Sequence, residues 1–356
     1  MLLDLAARCA GDRPISVGET PMTDAPDTAS RIRVSVVVPT YRRPDLLSRC
    51  LDALCAQVFD PSTFEILVVD DDRARHSAKD VVHAFAQRSD GRPRVRYIPA
   101  WRTRGPAGAR NAGWCSAQGA IIAFTDDDTI ADPMWLRQGC DALMRDPMAC
   151  AVAGRIEVPL GDAPTDYERD ASGLAHAEFA TANCFVRRDA LVQVGGFDER
   201  FTRAWREDAD LMFMLREQVG PIIDAPQARV LHPIRPAHWG VSIGQQSKVF
   251  FDALLYKKHR RVYRQHIRRV PPWHYYIAVA ALLLAAVLLG TGQRVAGSVA
   301  LGIWAAVTLW FCWRRLRGTS RAASHIAEMI VTSMAIPPVS LYWRLRGALH
   351  FKVLFL

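Results

Sequence analysis

Ile121-Ile122-Ala123-Phe124-Thr125-Asp126-Asp127-Asp128 decides the fold. A short apolar, β-branched run reads as a buried strand, and this one stops on three consecutive carboxylates. The same grammar occurs upstream. Glu65-Ile66-Leu67-Val68-Val69 stops at Asp70-Asp71-Asp72, and Val34-Ser35-Val36-Val37-Val38 stops at Pro39. Pro44 then sits well for a first helical turn, with Leu47, Leu51 and Leu54 at helical spacing. A helical stretch near 78–88 leads to a strand at 95–98, and Gly105-Pro106 opens a helix through Arg110-Asn111. Strands alternating with helices predict an α/β fold with a mostly parallel, doubly wound sheet. Ligands of such sheets bind beyond the carboxyl ends of the strands, so both acidic triplets are expected to face one crevice.

Downstream the pattern is less regular. Residues 182–186 read as a further strand, Gly195-Gly196-Phe197-Asp198 as a turn, and Trp205-Arg206-Glu207-Asp208 as a helix opening with Leu211, Met212 and Leu215 on its buried face. Carboxylates suit a helix start because they meet the positive end of its dipole. No G-x-x-x-x-G-K-[ST] loop occurs, and no G-x-G-x-x-G follows the first strand. A P-loop NTPase and an NAD-binding Rossmann enzyme are therefore disfavoured.

The 356 residues are half hydrophobic, but unevenly so: the chain reads as soluble to about residue 272 and as lipid-compatible beyond it. Two apolar segments, about 275–292 and 295–313, are near the lower limit for a bilayer-crossing helix. Only Gly292, Gln293 and Arg294 connect them, which implies a tight hairpin. The net charge of +9 gathers on their outer flanks, in Lys257, Lys258, Arg260, Arg261, Arg264, Arg268 and Arg269 and again in Arg314, Arg315, Arg317 and Arg321. That pattern points to anionic lipid rather than nucleic acid, and puts both flanks on the cytoplasmic side of the inner membrane. A third apolar segment, about 326–343, contains Glu328 and is interrupted by Pro337-Pro338, so a re-entrant or interfacial element fits it better than a full crossing. Residues 1–30 read as a disordered leader rather than a secretory signal. The eight cysteines contain no C-x-x-C pair, which fits a reducing compartment and argues against a zinc module.

An acidic triplet alone is most often a solvated turn. Two triplets at strand ends plus Glu207-Asp208-Asp210 would repel one another unless a cation binds among them. Mg²⁺ or Mn²⁺, held by carboxylates and substrate phosphates, is the natural occupant. Tyr41 can stack on a base or simply pack, Asp71 can accept from a uracil imide, and Arg110 can meet a diphosphate or form a surface salt bridge.

Six motifs in order resemble family 2 of the inverting glycosyltransferases, which have the GT-A fold. They are Val-Val-Val-Pro-Thr-Tyr (36–41), Val-Val-Asp-Asp (68–71), Ala-Arg-Asn-Ala-Gly (109–113), Phe-Thr-Asp-Asp-Asp (124–128), Gly-Gly-Phe-Asp (195–198) and Glu-Asp-Ala-Asp-Leu (207–211). The resemblance runs from Val34 to about His232 and implies a GT-A domain over 31–240; charge and hydropathy mark 241–272 as an amphipathic basic linker and 273–356 as a membrane region. It implies that Pro39, Tyr41 and Asp71 hold the base. Asp126 and Asp128 would form a D-x-D pair, with Asp126 also touching ribose, and Asp208 would be the catalytic base supported by Glu207. Gly195, Gly196 and Asp198 would shape the acceptor side. His232 matches a position that supplies a metal ligand in some members; a lone histidine is also often a satisfied core residue. The unbroken triplets leave the register open, since Asp127 can replace either neighbour, and Asp70 and Asp72 compete with Asp71.

The expected activity is transfer of a sugar from a nucleoside diphosphate, with UDP as the expected carrier, to a hydroxyl of a lipid-linked or glycan acceptor. The alternatives are a membrane-tethered scaffold with an inactive transferase domain and a nucleotidyltransferase. Residues 238–256, with Phe250 and Phe251, are expected to form an amphipathic helix bordering the acceptor.

Overall fold

The computed structural model describes residues 32–88, 93–100 and 104–355, so the expected leader lies outside the described residues. The chain divides into two compact units, one running to Val158 and including Leu174–Pro233, the other formed by Pro159–Gly173 and the chain from Ile234.

In the first unit, β1 (Val34–Thr40), α1 (Pro44–Cys55), β2 (Phe64–Asp70), α2 (Lys79–Ala86), β3 (Arg94–Pro99), α3 (Pro106–Cys115) and β4 (Ile121–Thr125) alternate as the sequence predicts. Then come β5 (Ile130–Ala131), α4 (Trp135–Arg145) and β6 (Ala151–Glu157). After an excursion into the second unit through α5 (Asp166–Ser172), the chain returns for β7 (Asn183–Arg187), α6 (Arg188–Val194), α7 (Glu207–Gln218) and β8 (Ile222–Leu231). The strands form one sheet in the order β3-β2-β1-β4-β7-β6-β8-β5. The first four are mutually parallel, β7 runs antiparallel to β4 and β6, and β8 is parallel to β6. The sheet is thus mixed and mostly parallel. Every residue of β2 is buried, as expected of a central strand covered on both faces.

The first strand does not stop at Pro39. The Thr40 carbonyl accepts from Asp71 N on the β2 side, so alternation turns the missing N–H of Pro39 toward β4. Pairing with β4 ends at Val37, and the proline therefore removes no ladder bond there. The parallel registers Thr40–Asp70 and Val37–Phe124 bring the carboxyl ends of β1, β2 and β4 to one edge. Both acidic triplets follow from that edge.

In the second unit, α8 (Val241–Gln245) and α9 (Val249–Lys258) precede three long apolar helices: α10 (Trp273–Gly290), α11 (Arg294–Leu316) and α12 (Ala323–Phe351). All three are long and apolar enough to cross a membrane. In α10 the small residues Ala278, Ala281 and Ala285 are buried while Leu283, Leu284 and Val287 are exposed. A Cβ on Gly297 of α11 would lie 2.6 Å from Leu289, so the hairpin backbones approach closely. Small residues inward and large apolar ones outward is the arrangement of helices that face lipid. The expected interruption at Pro337-Pro338 is absent: α12 continues through both as one 29-residue helix. Two missing N–H donors are tolerated because the prolines keep a helical φ and flanking bonds hold the helix. Phe250 packs on Trp343, His350 and Phe351, and Phe251 is buried, so within this unit both serve packing.

Candidate active site

The carboxyl edge of the first unit sorts each triplet into tied and available members. Asp70 accepts from Asp72 N and Ala78 N, and Tyr97 donates its hydroxyl to it, which fixes the turn after β2. Asp72 takes the Arg42 guanidinium at 3.0 Å. Asp71 is different. Its Oδ2 accepts from Gly105 N at 2.8 Å, while its buried Oδ1 has no hydrogen-bond partner. Tyr41, on the adjacent strand end, is 47% exposed with the Arg42 guanidinium over its ring. A free carboxylate oxygen beside an exposed ring can hydrogen-bond and stack a base.

The second triplet sorts the same way. Asp127 accepts from Thr40 Oγ1 at 2.8 Å and from Arg43 at 3.1 Å, and its burial pushes its pKa up to about 6. Asp126 and Asp128 instead converge with His232, which follows directly on β8. Ligand atoms of the three lie within 4.8 Å of one another, with His232 Nε2 at 3.4 Å from Asp128 Oδ1. Two carboxylates and an imidazole are a suitable donor set for Mg²⁺ or Mn²⁺. His232 N donates to Glu157 O, which fixes the residue beside the sheet edge.

Arg110 joins this cluster to the start of α7. Its side chain is 4% exposed, with Nη2 2.8 Å from Asp126 and Nη1 3.1 Å from Glu207. The expected surface salt bridge is therefore a buried one. Arg110 Nε and Glu207 Oε2 have no hydrogen-bond partner, so the bridge leaves one donor and one acceptor to spare. Burial raises the carboxyl pKa of both Glu207 and Asp208, with Arg110 opposing it in each case. A carboxylate whose pKa is raised in this way is, once ionised, a stronger base that can take a proton at moderate pH. Asp208 Oδ1 accepts from Ala209 N, and the first-turn acids Glu207, Asp208 and Asp210 face the helix dipole.

The Gly-Gly-Phe-Asp turn is stitched to α3. Asn111 accepts from Phe197 N and donates to Phe197 O, and Trp114 Nε1 donates to Asn111 Oδ1. Gly195 and Gly196 have φ of +75° and +70°, and a Cβ on Gly196 would meet Asn111 Oδ1 at 2.6 Å. Asp198 is buried and paired with Arg200. These three residues hold the turn. Pro39 likewise belongs to the strand and places Tyr41.

The sequence reading missed Thr40, Arg43 and Asn111, whose roles depend on partners 84 to 88 positions away. It also missed Arg206, whose φ of +78° puts a non-glycine residue in the left-handed region immediately before Glu207. Such strain concentrates at functional sites.

Residues 35–200 match Glycosyl transferase family 2. The chain is 29% identical over 173 residues to the glycosyltransferase AglE of Haloferax volcanii, covering 46% of this chain and 55% of that protein. It is 28% identical over 264 residues to a validoxylamine A glucosyltransferase of Streptomyces hygroscopicus subsp. limoneus, covering 61% of this chain and 56% of that one. The chain thus spans a little over half the length of these curated relatives. Among solved structures it resembles the mannosyltransferase PcManGT from Pyrobaculum calidifontis, in complex with GDP-Man and Mn²⁺. That alignment has a TM-score of 0.57 at 18% identity and covers 97% of this chain and 99% of the other, so the likeness is one of fold.

Proposed function

Residues 35–200 form a Glycosyl transferase family 2 domain, and on that premise we propose that the chain is a membrane-associated inverting glycosyltransferase using a nucleoside-diphosphate sugar. The observation that carries this reading is the convergence of Asp126, Asp128 and His232 with the buried Asp126–Arg110–Glu207 bridge, at the edge that also holds the exposed Tyr41 ring and the unpartnered Oδ1 of Asp71. Tyr41 and Asp71 hold the base, with UDP as the expected carrier because Asp71 can accept from an imide N–H. Asp126, Asp128 and His232 would hold a divalent ion, which when bound neutralises charge on the departing diphosphate. Arg110 offers its free Nε toward the same negative charge.

Asp208 takes the proton of the acceptor hydroxyl as that oxygen attacks the anomeric carbon on the face opposite the diphosphate. One displacement, with no covalent intermediate on the protein, inverts the anomeric configuration. Glu207, fixed by Arg110, keeps the start of α7 in place.

The acceptor is read as lipid-linked or glycan, presented at the cytoplasmic face of the inner membrane. Helices α10 and α11 form the crossing hairpin. Helix α12 is read as interfacial despite its length. Near its start Trp239 donates to Ser324 O, and Glu328 accepts from Gly240 N. Near its end Lys257 donates to Phe351 O. Both ends are therefore tied to the stretch between Trp239 and Lys257, and Arg315 at the end of α11 reaches Thr332 in its middle.

Calorimetry on the full chain in detergent, with UDP and GDP and with and without Mn²⁺, tests the donor site. Metal-dependent binding of one nucleotide, lost in Asp128→Ala and kept in Asp208→Ala, supports the transferase. Absence of metal-dependent binding of any diphosphate would overturn it in favour of a scaffold.

A further inference from the structure

Two arginines are buried inside the helical unit, and they are satisfied very differently. Arg315 is 6% exposed and fully engaged: Nε and Nη2 meet Asp166 at 3.0 and 2.8 Å, and its other donors reach Thr332, Ser333 and Ser242. Arg344, on α12, is 3% exposed, yet its Nε and Nη1 have no hydrogen-bond partner. Among the described residues no carboxylate stands within ion-pair distance of it. Its electrostatic neighbours are Tyr263, Asp252, Arg268 and Tyr276. A guanidinium taken out of water without an anion is strongly unfavourable. One unit thus supplies a carboxylate for Arg315 and leaves Nε and Nη1 of Arg344 without a partner among the described residues.

The surroundings describe what is missing. One face of the guanidinium lies over the Phe355 ring at 4.6 Å, and that ring also packs on Tyr256 and Tyr263. Phe355 lies in an irregular stretch that leaves α12 after Lys352, whose φ is +52°. Among the described residues, the ring that covers this face of Arg344 thus sits on non-helical backbone. Arg344 is itself held firmly. One turn on, a Cβ at Gly347 would lie 2.6 Å from Phe250 O, so α9 and α12 are in close backbone contact. A second cation, Arg268, belongs to the basic stretch that precedes the apolar hairpin.

We propose that Arg344, with Arg268 beside it, forms a binding site for a phosphate group, supplied by the headgroup of an anionic lipid. The unpartnered Nε and Nη1 lie on different edges of the guanidinium, and each can donate a charge-assisted hydrogen bond to a phosphate oxygen. A lipid is the source because the site belongs to the unit built of apolar, outward-facing helices with basic flanks, where anionic headgroups concentrate. The site is separate from the donor cluster and does not depend on the transferase reading.

The test is thermal unfolding of the full chain in a neutral detergent with dihexanoyl phosphatidic acid, dihexanoyl phosphatidylcholine or inorganic phosphate. Ligand that binds only the folded state raises the midpoint with concentration. Phosphatidic acid should raise it by several degrees and phosphatidylcholine should not. Arg344→Met should abolish the ligand-dependent rise, while Phe355→Ala, which removes the cover and keeps the cation, should retain it. No rise in the wild-type chain, or an equal rise in Arg344→Met, overturns the site. An equal rise with inorganic phosphate at the same concentration overturns the lipid occupant. If Arg344→Met does not fold, Arg344→Lys replaces it: a point charge in place of the fork should weaken binding about tenfold, and unchanged binding counts against the proposal. Sugar transfer enters none of these readouts.

Discussion

The Thr40 hydroxyl donates to Asp127 Oδ2 across 2.8 Å, joining the end of β1 to the middle carboxylate of the second acidic triplet. With Arg43 on the other oxygen, that bond turns Asp127 away from Asp126 and Asp128. The two outer aspartates are left to face His232.

Substitution within the triplet should therefore be sharply uneven. Asp126→Asn and Asp128→Asn should each weaken Mn²⁺-dependent nucleotide binding by at least about tenfold, the usual cost of disturbing a metal site. Asp127→Asn should leave it within about threefold and show its effect in stability, through the loss of the Arg43 pair. Calorimetry with Mn²⁺ and nucleotide reads the first, and denaturant unfolding reads the second. Equal losses at all three positions would contradict the register.

His232→Ala tests the third donor. A ligand role predicts weaker Mn²⁺ binding with the nucleotide's metal-free affinity unchanged. A core role predicts a lower unfolding midpoint with metal binding intact. The 3.4 Å approach of Nε2 to Asp128 favours the first outcome.

How much of this the sequence disclosed depends on the range of the interaction. The strand–helix alternation was legible because each strand is a local apolar run and each acidic stop is adjacent to it. The parallel half of the sheet followed directly. The antiparallel β7 and the detour through α5 did not, since nothing local in 151–187 says that the chain leaves one unit and returns. Asp126, Asp128 and Arg110 were legible as site candidates. Their register was not, because it is set by Thr40 and Arg43, more than 80 positions away. The prolines misled in both directions: Pro39 lies inside a strand and Pro337-Pro338 inside a helix. In each case neighbouring elements, rather than the residue's own preference, decide the outcome.

The pH dependence of turnover follows from burial at the start of α7. A general base must be ionised, and burial raises the pKa of Asp208 above its ordinary range near 4. Turnover should therefore rise with pH along a limb displaced upward from that of a free carboxylate. Arg110 lowers the pKa of both Asp208 and Glu207, so Arg110→Gln should move the limb to higher pH as well as reduce the rate. Asp208→Asn should cut turnover by roughly 10²–10⁴ with donor affinity preserved. A limb that stays in place in Arg110→Gln would exclude this coupling.

Gly105→Ala should cost both stability and donor affinity. Gly105 has φ of +100°, and a Cβ there would lie 2.3 Å from the Thr202 carbonyl oxygen, so backbone must shift. The same residue's N–H holds Asp71 at 2.8 Å. Strain of this kind costs about 1–3 kcal/mol, read from denaturant unfolding. Nucleotide affinity should fall with it, whereas Gly161→Ala, with nothing within 4 Å, should change neither.

In the helical unit, Asp166 and Arg315 test whether a buried pair is held for stability or only for compatibility. The pair links α5 to the end of α11, with both side chains largely buried. Removing Asp166 alone, as Asp166→Asn, strands Arg315 and should cost about 3–5 kcal/mol. Arg315 would keep its bonds to Thr332, Ser333 and Ser242, which places the effect toward the lower end. The double variant Asp166→Leu with Arg315→Met removes both charges and should recover most of the loss, because an apolar pair needs no desolvated partner. Unfolding midpoints in detergent at a fixed protein concentration decide the matter. Recovery means that the pair is compatible with the fold without being its main support. A double variant as unstable as Asp166→Asn would mean instead that the bridge itself, with its hydroxyl partners, fixes α5 against α11 and α12.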